Sequence, residues 1–185
     1  MVNATELRPG NHFEFEKNIY TVIDVGLNKT AMRKMVVKAK VKNLRTGAIT
    51  EMSFLGGTDV EKITLDKKKM TYLYEANDNL VFMDKVSFEQ LEISRSKLAW
   101  EVNFLMTEQE IEVLMYEAEI LGVSLPAKVA LKVTECEPAV KGDTINKAMK
   151  EATLETGYKL KVPLFISEGE IISVRTEDGS YDGRA

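Results

Sequence analysis

The chain has 185 residues, 44% of them hydrophobic, which is enough to bury one sizeable core or two or three small ones and excludes a peptide hormone or a disordered tail. Lys and Arg number 25 against 29 Asp and Glu, and the net charge of -4 excludes a uniformly basic nucleic-acid coat. No window approaches the roughly 20 apolar residues of a membrane span, and the start Met1-Val2-Asn3-Ala4-Thr5-Glu6 has no basic n-region or apolar h-region, so a cytoplasmic protein without a membrane partner is expected.

Turn signals recur along the whole chain, at Pro9-Gly10, Lys17-Asn18, Thr46-Gly47, Gly56-Gly57, Asn77-Asp78-Asn79, Gly142-Asp143, Glu168-Gly169 and Asp178-Gly179, with β-branched or aromatic runs between them. The predicted strands are His12 to Phe15, Ile19 to Val25, Met35 to Asn43, Ala48 to Phe54, Thr71 to Tyr74, Leu80 to Asp84, Val129 to Cys136, Lys159 to Val162 and Ile171 to Thr176. Met70 to Tyr74 and Leu80 to Asp84, joined by a polar turn from Glu75 to Asn79, form the clearest hairpin. Residues 94–121 read two ways. Ile111, Leu114, Met115 and Ala118 fit helical spacing behind a capping box at Thr107-Glu108-Gln109-Glu110; equally, Ile111 to Tyr116 and Ile120 to Val123 fit two strands about a Glu117-Ala118-Glu119 turn, with the only helical segment inside Phe88 to Phe104.

Divisions near Thr64/Leu65 and Ala127/Lys128 give three pieces of a size at which small β-barrels fold, 1–64, 65–127 and 128–185. Their charges separate: 10 basic against 7 acidic groups in the first (+3), 6 against 12 in the second (-6) and 9 against 10 in the third (-1). From Val25 to Thr50 there is no acid, while Lys29, Arg33, Lys34, Lys38, Lys40, Lys42 and Arg45 supply seven cations. Within that run Val37-Lys38-Ala39-Lys40-Val41-Lys42 alternates with period two, placing three lysines on one strand face and three apolar residues on the other. Such a stripe suits a phosphate backbone, and it equally suits an ordinary solvated face. Asn28 to Lys34 reads as a polar loop projecting from the strand ends.

Catalytic chemistry has little to work with. His12 is the single histidine and Cys136 the single cysteine, each in a strand-like context that reads as structural; neither a disulfide nor a zinc site can be assembled from them. There is no Gly-x-x-x-x-Gly-Lys-Ser/Thr loop, no Gly-x-Gly-x-x-Gly and no His-Glu-x-x-His, and Glu108, Glu110 and Glu112 read as a solvated face. The expectation is a protein that is not an enzyme and needs no cofactor or metal.

Motifs in order along essentially the whole chain resemble the bacterial elongation factor P family. Leu7-Arg8-Pro9-Gly10 and Lys40-Val41-Lys42-Asn43-Leu44-Arg45-Thr46-Gly47 are similar to the family's first domain, and Tyr72-Leu73-Tyr74, Val81-Phe82-Met83-Asp84 and Gly122-Val123-Ser124-Leu125-Pro126 to its second. Lys141-Gly142-Asp143-Thr144, Lys150-Glu151-Ala152-Thr153-Leu154-Glu155-Thr156-Gly157, Val162-Pro163-Leu164-Phe165-Ile166 and the terminal Tyr181-Asp182-Gly183-Arg184-Ala185 resemble its third. The resemblance implies an all-β chain of three consecutive small β-barrels, an SH3-like KOW domain and then two OB-folds, L-shaped and tRNA-like overall, with strands across residues 105–125. It implies a monomeric translation factor whose partners are the 70S ribosome, peptidyl-tRNA and rRNA, seated between the peptidyl-tRNA and exit sites and relieving stalling at consecutive prolines.

The resemblance also implies roles for particular residues. The family's Lys-Pro-Gly-Lys-Gly-Gly loop, which approaches the peptidyl-transferase centre and carries a modified Lys or Arg, falls without gaps on Lys29-Thr30-Ala31-Met32-Arg33-Lys34, so the tip position is Met32 and the Pro and Gly residues are absent. Lys29, Arg33 and Lys34 are then expected at the CCA end or nearby rRNA, unmodified or with a nonstandard modification by an unknown modification enzyme. Lys38, Lys40 and Lys42 are expected at the acceptor arm. Lys141, Gly142, Asp143 and Thr144, with Tyr181 and Arg184, are expected at the exit-site codon and small subunit; Glu151 and Ala139 depart from the family's Pro and Gly there. Two alternatives stay open, an elongation factor P-like paralogue with a variant tip loop and a general OB-fold RNA-binding protein. The second would need aromatics interleaved with cations for base stacking, and residues 25–50 contain no Phe, Tyr or Trp.

Overall fold

A computed structural model describes residues 1–29, 35–139 and 148–185. It comprises sixteen strands: β1 (Val2–Asn3), β2 (His12–Phe15), β3 (Asn18–Lys29), β4 (Met35–Asn43), β5 (Ile49–Leu55), β6 (Asp59–Ile63), β7 (Asp66–Ala76), β8 (Asn79–Met83), β9 (Gln90–Ser94), β10 (Glu110–Tyr116), β11 (Glu119–Ser124), β12 (Lys128–Cys136), β13 (Met149–Leu154), β14 (Lys159–Pro163), β15 (Ile171–Arg175) and β16 (Tyr181–Arg184). Among the described residues the only helical pieces are two short 3-10 turns, Ala4–Glu6 and Glu101–Phe104. The protein is all-β. Its strands form three sheets, ordered β1-β6-β2-β3-β4-β5, β11-β10-β7-β8-β9 and β14-β13-β12-β15-β16.

The chain packs as two compact units, residues 1–68 with 113–122, and residues 69–112 with 123–185. In the first, antiparallel pairing of β3 with β4 runs from Tyr20↔Asn43 out to Lys29↔Met35. Alternation drives Val37, Ala39 and Val41 to complete burial, and they form one core with the buried Leu7, Phe13, Val22 and Phe54. Phe54 meets Phe13 and Phe15 edge-on at centroid distances of 6.1 and 5.3 Å. The β2–β3 hairpin turns on Glu16 and Lys17, both at positive φ, a primed turn made without glycine. A smaller cluster of Ile19, Ile63, Leu65 and Leu121, flanked by Leu44, Leu114 and Tyr116, belongs to the same unit.

In the second unit, Leu131, Val133, Leu154, Val162, Ile166, Ile172 and Val174 form a core that also takes in Phe104 from the second 3-10 turn. Phe104 packs on Tyr158 (5.2 Å between centroids), Trp100 packs on both, and the Trp100 indole N–H donates to the Thr176 carbonyl at 2.9 Å. Gly179 completes this cluster at φ +72, and a Cβ there would lie 2.0 Å from the Tyr158 hydroxyl.

Several strand expectations change. The helical reading of 107–120 does not hold: Ile111 and Val113 are buried at period two, and Glu117 turns the chain at φ +55 between β10 and β11. Within 88–104 the structure has strand β9, and only residues 101–104 are helical. Asn28 and Lys29, expected in a loop, lie in strand β3, because ladder pairing keeps it extended to Lys29. Strands β1, β6, β13 and β16 are short and largely polar and were not predicted, nor was β9, although Leu91 and Ile93 alternate within it.

Candidate nucleic-acid interface

The outer face of β4 carries the predicted cations. Lys38 and Lys40 are exposed and Lys42 is partly so, while their neighbours Val37, Ala39 and Val41 point into the core. Directly opposed residues on antiparallel strands share a face, so the register defines rows across this surface. One row is Gly26, Lys38 and Ser53; the next is Asp24, Lys40 and Glu51; the next is Thr21, Lys42 and Ile49. The run without acids is therefore not an acid-free surface. Asp24 and Glu51 flank Lys40, and Lys38 Nζ stands 3.9 Å from Glu51 Oε1. Both side chains of that pair are more than half exposed, where such an ion pair contributes little.

Arg45, the last of the seven cations, is committed internally. Its guanidinium forks onto Glu119 at 2.9 and 2.8 Å and also donates to the Lys17 carbonyl, so its pKa is raised chiefly by the Glu119 hydrogen bond. The turn that holds Arg45 follows from Asn43-Leu44-Arg45-Thr46-Gly47. The Asn43 side-chain oxygen accepts from Arg45 N and Thr46 N at 2.9 and 3.2 Å, and Gly47 closes the turn at φ +76. The sequence marks this turn clearly, but the carboxylate that occupies Arg45 lies 74 residues away.

Lys29 is exposed at the end of β3, opposite Met35. Met32, Arg33 and Lys34 lie outside the described residues, as do Lys141, Gly142, Asp143 and Thr144. Tyr181 is partly buried against the second unit's core. Arg184 lies 4.9 Å above the Phe165 ring and 3.2 Å from Glu170, so both of the predicted C-terminal contact residues also pack within the fold. Between them Asp182 bridges Lys128 (2.8 Å) and Arg175 (3.0 Å), which hold its carboxyl below the usual range.

His12 and Cys136 sit in strands as expected. His12 Nδ1 is 2.8 Å from the Thr21 hydroxyl, and burial, then the Lys67 ammonium, lowers its pKa. Cys136 is half-buried with Sγ 3.9 Å from the Ile166 carbonyl. No cluster of three metal-ligating side chains occurs among the described residues, and no helix among them is long and apolar enough to cross a membrane.

Comparison with known proteins matches three family profiles in succession: "Elongation factor P (EF-P) KOW-like domain" over residues 3–60, "Elongation factor P (EF-P) OB domain" over 65–123 and "Elongation factor P, C-terminal" over 129–184. Similar curated proteins include elongation factor P of Malacoplasma penetrans, 50% identical over all of this chain and 97% of that one. Another is that of Mesomycoplasma hyopneumoniae strain 232, 48% identical over the whole of both. Among solved structures, the eukaryotic translation initiation factor 5A from Methanococcus jannaschii shares the fold with a TM-score of 0.50 at 16% identity, over 66% of this chain and 92% of that one.

Proposed function

The chain belongs to the elongation factor P family and is a translation factor, and from that premise we propose that it binds the ribosome between the peptidyl-tRNA and exit sites and orients peptidyl-tRNA for peptide-bond formation at consecutive prolines. The observation that carries the reading is the lysine stripe on β4, in a strand whose opposite face is buried in the first core. Lys38, Lys40 and Lys42 meet acceptor-arm phosphates, and the lack of aromatics in residues 25–50 favours recognition of backbone and shape over base stacking.

A prolyl acceptor is a constrained secondary amine and a polyproline donor is extended, so attack geometry is reached slowly. Holding the peptidyl-tRNA in place lowers the entropic part of the ribosome's own barrier and asks no nucleophile, base, cofactor or metal of the factor. Lys29 leads toward the tip, where Arg33 and Lys34 supply further cations beside Met32 and act without the family's modification. Lys141 to Thr144, Tyr181 and Arg184 face the exit-site codon and small subunit. The protein works as a cytoplasmic monomer of three domains, 1–64, 65–127 and 128–185.

The test is a reconstituted translation reaction on a reporter with three consecutive prolines, comparing unmodified recombinant protein with a Lys29→Ala, Arg33→Ala, Lys34→Ala variant. The wild type relieves the stall, and the triple variant loses most of that relief while keeping the wild-type melting temperature. An unmodified wild type that is inactive beside active protein from its native cell overturns the unmodified-tip reading. Relief of stalling by neither preparation overturns the functional reading as a whole.

A further inference from the structure

We propose that Gly26, Lys38 and Ser53 form a seat for one phosphodiester of an RNA backbone on the outer face of the first sheet, a deepening that rests on the reading of the β4 lysines as an RNA-binding stripe. The argument starts from Gly26. A glycine inside a strand weakens it, and it is usually there because the backbone needs a left-handed conformation, because a neighbour leaves no room for a Cβ, or because something external approaches closely. The first two reasons fail here. The φ of Gly26 lies outside the left-handed region, and a Cβ built on it would meet nothing within 4 Å. The ladder runs unbroken through it from Asp24↔Lys40 to Lys29↔Met35, and the β3 irregularity falls earlier, between Val22 and Asp24.

What remains is the row. Gly26 is directly opposite Lys38, and Lys38 is directly opposite Ser53 on its other side. A side chain is missing on one flank of the lysine and is short and hydroxylated on the other, so the row is a trough between the Asn28, Val36, Leu55 row and the Asp24, Lys40, Glu51 row. A phosphate entering the trough gains the Lys38 ammonium and the Ser53 hydroxyl as donors and lies against bare strand backbone at Gly26. No carboxylate stands opposite Lys38 in register, in contrast to Lys40. Glu51, which stands 3.9 Å from Lys38, is exposed and readily exchanged for a phosphate.

The experiment measures binding of the full chain to 70S ribosomes carrying tRNA in the peptidyl-tRNA site, across a KCl series, with a melting curve for each variant. Gly26→Val melts at or above the wild-type temperature and binds at least about tenfold more weakly; Lys38→Ala also weakens binding, and each lowers the salt slope by about one. The Gly26→Val, Lys38→Ala double variant binds no more weakly than Gly26→Val, because both changes remove the same contact. Wild-type binding by Gly26→Val beside weakened Lys38→Ala overturns the seat and leaves the stripe standing. Full additivity in the double variant, or a Gly26→Val chain that melts well below wild type, also overturns the seat. Wild-type binding by both single variants overturns the stripe and the seat with it.

Discussion

Glycine serves opposite purposes at Gly26 and Gly179, and only the second is demanded by the fold. At Gly179 the backbone is left-handed and the Tyr158 and Trp100 rings occupy the space a side chain would need, so Gly179→Ala is both strained and overpacked. Urea unfolding of Gly179→Ala is expected to show a loss of about 2–4 kcal/mol. A loss below about 0.5 kcal/mol contradicts the packing described for Trp100, Phe104 and Tyr158. His12 gives a pH signature. Its pKa is lowered in the folded chain, by burial and then by Lys67, so the unfolded chain binds the extra proton first as pH falls through the ordinary value of 6.5. Stability present at pH 7.5 is therefore lost on descending to pH 5.5, and His12→Gln flattens that part of the curve. Equal slopes of melting temperature against pH in wild type and variant contradict it.

At the scale of the strand, neighbours decide what the lysines are worth. The sequence shows the alternation of β4 and its lack of acids, but not that Asp24 and Glu51 are brought beside Lys40, because that depends on register across two further strands. Glu51→Gln is consequently expected to tighten ribosome binding about two- to threefold and to steepen its salt dependence, with little effect on melting. Unchanged affinity and slope show that Glu51 does not compete for the stripe. The same distinction explains which elements were legible. Val129 to Cys136 reads as a strand because Val129, Leu131 and Val133 alternate into the core, and the structure places β12 there. Strands such as Asp59–Ile63 and Tyr181–Arg184 are mostly polar, and their extended form comes from pairing with β2 and β15. Ile111 to Ala118 satisfied helical spacing by coincidence, and the turn at Glu117 and long-range pairing decided for strands. Of the candidate site, the lysine stripe was legible in β4 itself. The internal use of Arg45 was not, since its carboxylate arrives from β11.

Across the whole molecule, charge is apportioned more sharply than its sum suggests. The net charge of -4 combines +3 over residues 1–64 with -6 over 65–127, so cations are concentrated where the proposed RNA contacts lie and acids discourage adventitious RNA elsewhere. The closure of the first unit by residues 113–122 also bears on the order of its own synthesis. Arg45 and Ile19 wait for Glu119 and Leu121, which are made about 50 residues after Lys68, roughly 3 to 10 s later at an elongation rate of 5–20 residues per second. Until then the nascent first unit presents an apolar edge at Ile19, Ile63 and Leu65 without its cover. A factor of the elongation machinery thus has its own maturation timed by the speed of the ribosome that makes it.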